Sequence, residues 1–187
     1  MNDFLKHKEL YHYGVKGQKW GVRRYQDRDG TRLKTSGQQY SIDDVVFVSG
    51  KVKYDKELDE AVASELDNVM KSKSNIIVGD APGSDKLVQD YLNEKGYRNV
   101  KVYTSDLNAR NNSGMWQVIR IASNKQLDET KRRELKDIAM TNLATKAIAI
   151  MPEDDRSGSA MSNNISRLRD KNLEPVIFDY EKKKWVK

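Results

Sequence analysis

The chain has 187 residues, no cysteine and a net charge of +6. This length allows one domain with a sizeable core plus an appendage, and the lack of cysteine excludes disulfides and thiolate metal sites. No apolar run is long enough to cross a membrane, and the first residues lack the apolar segment of a secretory signal, so we expect neither a membrane contact nor secretion.

The positive charge is concentrated at the N-terminus. Residues 1–40 carry nine Lys/Arg and four Asp/Glu, a net charge of +5, whereas the remainder carries 25 and 24, a net charge of +1. The first segment also interleaves glycines with aromatic residues and shows no sustained helical or strand period. We interpret residues 1–40 as a basic arm, either flexible or a recognition element, and residues 41–187 as the domain. Because the domain is nearly neutral, nucleic acid is not its expected partner.

Short apolar runs alternate with amphipathic segments beyond the arm. The predicted strands are residues 45–48, 75–79, 100–103, 147–150 and 175–178, and the predicted helices are residues 54–73, 82–95, 129–142 and 157–172. Residues 105–128 predict a loop followed by a short helix, and residues 181–187 predict a short edge strand or a frayed end. This alternation favours an α/β fold with a doubly wound, mainly parallel five-stranded sheet of the Rossmann-like type.

One turn after a predicted strand carries an unusual set of small and acidic residues. In such a sheet ligands bind outside the carboxyl ends of the strands, and small residues let backbone N–H groups approach an anion at the start of a helix. Asp85 is suited to accept from a ribose hydroxyl or a base amine, or to cap the helix. The alternative is an ordinary strand-to-helix turn. The run consists of Gly79, Asp80, Ala81, Pro82, Gly83, Ser84 and Asp85.

Two further turns follow strands. Ser157, Gly158 and Ser159 precede a predicted helix and suit either an anion or a helix cap. After the first strand, Ser49 and Gly50 permit a close approach, Lys51 or Lys53 would neutralise phosphate, and Tyr54 would stack on a base. The alternative for each lysine is a solvated surface position.

The loop of residues 105–128 adds an aromatic residue among cationic and amide side chains. Arg110, Asn111, Trp116 and Arg120 suit a lid over a base. The alternative for Trp116 is packing in the core.

Several common site types are missing from the sequence. There is no P-loop motif, and the only histidines, His7 and His12, lie in the arm, so a histidine general base is not expected. No cluster suggests a metal or another cofactor.

The turns together resemble those of the SLOG superfamily, the Rossmann-like group that includes the Smf/DprA and LOG proteins, and within it the YspA/YpsA-like branch. The resemblance rests on Ser49-Gly50-Lys51, on residues 76–85, and on Ser157-Gly158-Ser159 with Asn164. It implies a pocket for nucleotides or ADP-ribose-like compounds and pairing of subunits. The Pro-Gly-Gly-x-Gly-Thr-x-x-Glu signature of LOG-type phosphoribohydrolases, with its catalytic glutamate, has no clear counterpart.

The arm is similar, over residues 11–25, to a short motif of tailed-phage proteins. We therefore expect a phage-encoded protein that sequesters a nucleotide-derived immune signal, of the cyclic ADP-ribose or cyclic nucleotide type, in the cytoplasm of the infected bacterium. The favoured function is therefore an anti-defence sponge, meaning a protein that binds the signal without cleaving it, rather than an enzyme. The alternatives are a nucleotide N-glycosidase that uses Asp80 or Asp85, and a virion-associated module that binds nucleic acid through the arm.

Overall fold

A mostly parallel sheet with helices on both faces forms the domain, in a computed structural model that describes residues 35–52, 57–121, 126–152 and 158–186. The strands in these ranges are β1 (Val45–Gly50), β2 (Asn75–Gly79), β3 (Val100–Thr104), β4 (Gln117–Arg120), β5 (Lys146–Ile150), β6 (Val176–Asp179) and β7 (Lys184–Val186). The helices are α1 (Glu60–Lys71), α2 (Ser84–Glu94), α3 (Glu129–Leu143) and α4 (Ala160–Asp170).

The strand order β4-β3-β2-β1-β5-β6-β7 is that of a doubly wound sheet. The chain moves outward from β1 to β4, then returns through α3 to place β5 on the other side of β1, with Gly50 opposite Ile150. The carboxyl ends of β1 and β5 therefore form the topological switch point, where such sheets bind ligands.

Both faces of the central strands are buried, which explains their continuous apolar runs. Val46 and Val48 of β1 face the core cluster that contains residues of α1 and α2, whereas Phe47 belongs to the cluster that contains Met140 of α3. The alternation of side chains along β1 thus assigns α1 and α2 to one face of the sheet and α3 to the other.

The sheet has seven strands in the described residues rather than the predicted five. The short helix predicted within residues 105–128 is wrong, because Gln117–Arg120 forms the edge strand β4 and pairs in parallel with β3. The C-terminal tail forms β7, antiparallel to β6, and the Trp185 ring packs edge-on against Phe178 at 5.2 Å between centroids.

The described residues just before β1 lie against α1. Tyr40 Oη donates to Glu65 Oε1 at 2.7 Å, and the backbone N–H of Ser36 donates to the other carboxylate oxygen at 3.1 Å. Burial, followed by the charge of Glu65, raises the pKa of Tyr40, so this hydroxyl remains a donor. Residues 1–34 of the predicted arm lie outside the described residues.

Candidate functional site at the carboxyl edge of the sheet

The turn after β1 and the start of α2 are packed against each other. The backbone N–H and the hydroxyl of Ser84 both donate to the carbonyl oxygen of Lys51, at 3.2 Å and 3.1 Å. A Cβ at Gly50 would overlap the Ser84 side chain and stand 2.9 Å from the carbonyl oxygen of Ile150. Gly50 is therefore required for this close approach. The N–H and the hydroxyl of Ser84, a residue of the predicted anion-binding turn, thus already have a partner within the protein.

Gly83 completes this contact with a backbone conformation that favours glycine. Its φ is +82°, and a Cβ there would overlap the backbone of Val52. Pro82, the residue before Gly83, is part of this tight turn at the carboxyl edge. The backbone N–H of Ala81, one residue earlier, donates to Asp85 Oδ2 at 3.3 Å. The predicted run therefore folds as one compact turn, and its contact with a ligand stays a prediction.

Asp80 is fully buried, and its hydrogen-bond partners come from the end of β3 and from the loop that follows it. It accepts from the Thr104 hydroxyl at 2.8 Å, from the backbone N–H of Arg110 at 3.1 Å, and from Arg110 Nη2 at 2.9 Å. Asn111 Nδ2 donates to the Asp80 carbonyl oxygen at 2.9 Å. Burial alone would raise the pKa of Asp80, but the hydrogen bonds from Arg110 and Thr104 hold it below its usual value. Asp80 and Arg110 thus brace the loop.

Asp85 has the opposite electrostatic environment, although it lies in the same turn. It is 8% exposed, and burial raises its pKa to about 6, against the opposing influence of the Lys136 charge and the Ala81 N–H. Gly79 makes room for this carboxylate, because a Cβ at position 79 would overlap Asp85 Oδ2 and stand 3.2 Å from Lys136 Nζ.

Lys136 and Asp137 complete what we call the acid–base cluster, consisting of Asp85, Lys136 and Asp137. Lys136 Nζ lies 3.1 Å from Asp137 Oδ1, and both side chains are largely buried. Neither residue was predicted from the sequence. The available signal was the position of Lys136 four residues before Met140, which puts a charge on the inward face of α3.

The turn before α4 follows β5, the neighbour of β1. Ser159 Oγ accepts from the backbone N–H of Ser162 at 3.1 Å, so the predicted helix cap is confirmed. Asn164 is buried and accepts from Arg167 Nη1 at 3.0 Å. Ser157, like Lys53 and Tyr54 of the first turn, lies outside the described residues.

Trp116 does not cover this edge. It is 7% exposed, packs in the core and donates through Nε1 to the carbonyl oxygen of Tyr97 at 2.9 Å. Its indole ring is therefore not positioned as an exposed lid, and the alternative of core packing describes it. Arg110 is likewise engaged, since it pairs with Asp80.

These features define the class as a doubly wound α/β domain with a buried acid–base cluster at the carboxyl edge of its sheet. A protein-family model described as a family of unknown function (DUF7211) matches residues 1–27. No curated protein and no solved structure matches the chain.

Two absences hold for residues 35–52, 57–121, 126–152 and 158–186. No group of three or more His, Cys, Asp or Glu side chains in these ranges is arranged to hold a metal ion. Within the same ranges, no helix has the length and apolar character that crossing a membrane requires.

Proposed function

We propose that this domain binds a phosphate-bearing nucleotide, such as a cyclic ADP-ribose-type compound, at the carboxyl edge of its sheet and holds it intact. The observation that carries the proposal is the concentration of buried polar side chains at this one edge. Burying charged groups is costly, and proteins place such groups at functional sites more often than elsewhere. The group consists of Asp80, Asp85, Thr104, Ser105 and Lys136.

The fold supports the same location. Gly50 and Gly83 bring the β1 and α2 ends together beside the switch point, and the first turns of α2 and α4 present a partial positive charge suited to phosphate. Asp85 is the acceptor for a ribose hydroxyl or a base amine, because the carboxylate of Asp80 is already occupied by Arg110 and Thr104.

In biological terms, the proposed role is sequestration of a nucleotide-derived immune signal in an infected bacterium. It rests on the site, on the resemblance of the turns to SLOG proteins and on the phage-like arm. The pairing of subunits stays a prediction, which sedimentation of the full chain would test.

The test is ligand recovery from the full chain. The protein is incubated with cyclic ADP-ribose isomers, ADP-ribose and cyclic dinucleotides, freed of unbound ligand, denatured and analysed by mass spectrometry. We expect intact ligand, and at least a tenfold loss of affinity in Asp85→Asn but not in Glu94→Gln, which changes an exposed carboxylate on the same helix. No retained nucleotide of any type would reject the proposal.

A nucleotide N-glycosidase is the second candidate, favoured by the environment of Asp85. A buried carboxyl with a pKa near 6 beside a lysine is suited to exchange a proton near neutral pH. In such a reaction, water would add to the anomeric carbon and give a proton to Asp85. The C–N bond would break with its electron pair leaving on the base, which would take up a proton from solvent. Asp80 is less suited, since it is held as a carboxylate by Arg110.

Base release separates the two candidates. A free base that appears with the wild-type protein and disappears in Asp85→Asn would favour the glycosidase. A nucleotide that stays intact at every pH tested would remove it.

A further inference from the structure

Two buried polar atoms, one on the residue before Asp106 and one on the arginine nearest to Asp106, have no hydrogen-bond partner among the described residues. They are the hydroxyl oxygen of Ser105, a residue that is 2% exposed, and Nε of Arg132. Buried polar groups are paired in the great majority of cases, so each of these unpaired groups needs an explanation.

The two residues are linked through Asp106, which follows Ser105 just beyond the carboxyl end of β3. Tyr103 of β3 shares a core cluster with Met140 of α3, so the end of β3 lies beside α3, and Ser105 directly follows this strand. Arg132 lies on the same face of α3 as Met140, two steps of four residues earlier. Its Nη2 is 3.8 Å from Oδ1 of Asp106, the residue after Ser105.

The chemistry of the two groups calls for an acceptor. An arginine Nε–H can only donate, and a serine hydroxyl can donate as well. Arg132 is held in place because its Nη1 donates to the carbonyl oxygen of Leu127 at 3.1 Å. The separation of 3.8 Å from Asp106 is too long for a hydrogen bond. An unpaired arginine Nε–H and an unpaired serine hydroxyl are both donors suited to the oxygens of a phosphate.

We propose that Ser105 and Arg132 form a subsite for one phosphate group of the ligand, separate from the turn at Gly83. The inference rests on the proposed function and specifies that a phosphate group is the part of the ligand that binds near Ser105 and Arg132. The side chains of Arg132 and Asp106 are 23% and 34% exposed, whereas the two donor atoms are buried, so a phosphate reaches these atoms only when the two side chains move.

The surrounding charges determine whether each substitution strengthens or weakens phosphate binding. Lys136, one turn along α3, adds positive charge, which Asp137 at 3.1 Å and Asp85 partly neutralise. Asp106 opposes a bound phosphate. Asp106→Asn therefore strengthens phosphate binding, whereas it would weaken the binding of a sugar that needed this carboxylate as an acceptor.

The experiment measures binding of inorganic pyrophosphate and of ADP-ribose to the full chain by calorimetry. Ser105→Ala and Arg132→Gln are expected to weaken both by at least tenfold, and Asp106→Asn to strengthen both severalfold. Arg133→Gln is the matched control, because it removes the same charge from an exposed position of the same helix, and it should change affinity less than twofold. Ser105→Ala keeps the test valid if Arg132→Gln does not fold, since it removes only an unpaired hydroxyl.

The outcomes separate this inference from the proposed function. If ADP-ribose binds equally well to the wild type, Ser105→Ala and Arg132→Gln, the subsite is wrong and nucleotide binding stands. Pyrophosphate binding that depends on Ser105 and Arg132, with no binding of any nucleotide, supports the subsite and rejects the proposed function. A wild-type protein that binds neither compound overturns the subsite.

Discussion

The carboxylate of Asp85 occupies the space that a side chain at position 79 would need. A Cβ on Gly79 would overlap Asp85 Oδ2 and lie 3.2 Å from Lys136 Nζ. The glycine that ends β2 is therefore required by the acid–base cluster, since the carboxylate comes from α2 and the ammonium group from α3, on opposite faces of the sheet.

Gly79→Ala should destabilise the domain by about 1–3 kcal/mol, because overpacking a buried position forces its neighbours to move. Urea unfolding of the variant and the wild type measures this change in the free energy of unfolding. In an Asp85→Ala background the same substitution should cost at least about 1 kcal/mol less, since the overlapping carboxylate is gone. Equal costs in the two backgrounds would show that the two positions do not interact.

The raised pKa of Asp85 predicts a pH dependence of stability. The folded state binds this proton more tightly than the unfolded chain, whose aspartate pKa is about 3.9, so stability from this group is present below about pH 4 and is lost as pH rises to about 6. The Asp85→Asn variant has no ionisable group at this position. Relative to this variant, the wild type should lose about 2 kcal/mol between about pH 4 and pH 7.

Unfolding curves of both proteins across this pH range test the prediction. The pKa of Asp80 is held below its usual value, so Asp80 contributes stability that increases with pH, opposite to Asp85. Comparison with Asp85→Asn isolates the contribution of Asp85. A free-energy difference between wild type and Asp85→Asn that does not change with pH would contradict the assigned environment.

Arg110→Gln should destabilise the domain by about 2–3 kcal/mol, because it leaves the buried carboxylate of Asp80 without its charged partner. Amide exchange at residue 110 should also accelerate, since this N–H donates to Asp80. Lys86→Gln is the control: it breaks an exposed pair with Asp90 and should cost less than about 0.5 kcal/mol. Similar costs for the two variants would argue against a bracing role for Asp80.

Ser105→Ala should stabilise the unliganded domain by about 1 kcal/mol, because it removes a buried hydroxyl that has no partner among the described residues. The expected effect on phosphate binding has the opposite sign. Thermal unfolding without ligand and with saturating pyrophosphate measures both, and a variant that is less stable in the absence of ligand would indicate a structural role for this hydroxyl.

The class of fold could be predicted from the sequence because it depends on local patterns. Apolar runs such as Val45–Val48 need burial on both faces, and the amphipathic segments between them supply the cover, so the alternation specifies a parallel sheet. The edge strand β4 was missed because the apolar residues around Trp116 and Ile119 also suit a helix, and only pairing with β3 favours the strand.

The candidate site likewise has one part that the sequence predicts and another part that it does not. The sequence by itself determined that a turn of small and acidic residues follows β2, since glycine, proline and serine restrict the backbone locally. Only the tertiary structure decided that Asp80 is held as a carboxylate while Asp85 has a raised pKa. Their partners, Arg110 and Lys136, come from distant parts of the chain. The charge state and the role of a buried group depend on such long-range neighbours, which no local pattern specifies.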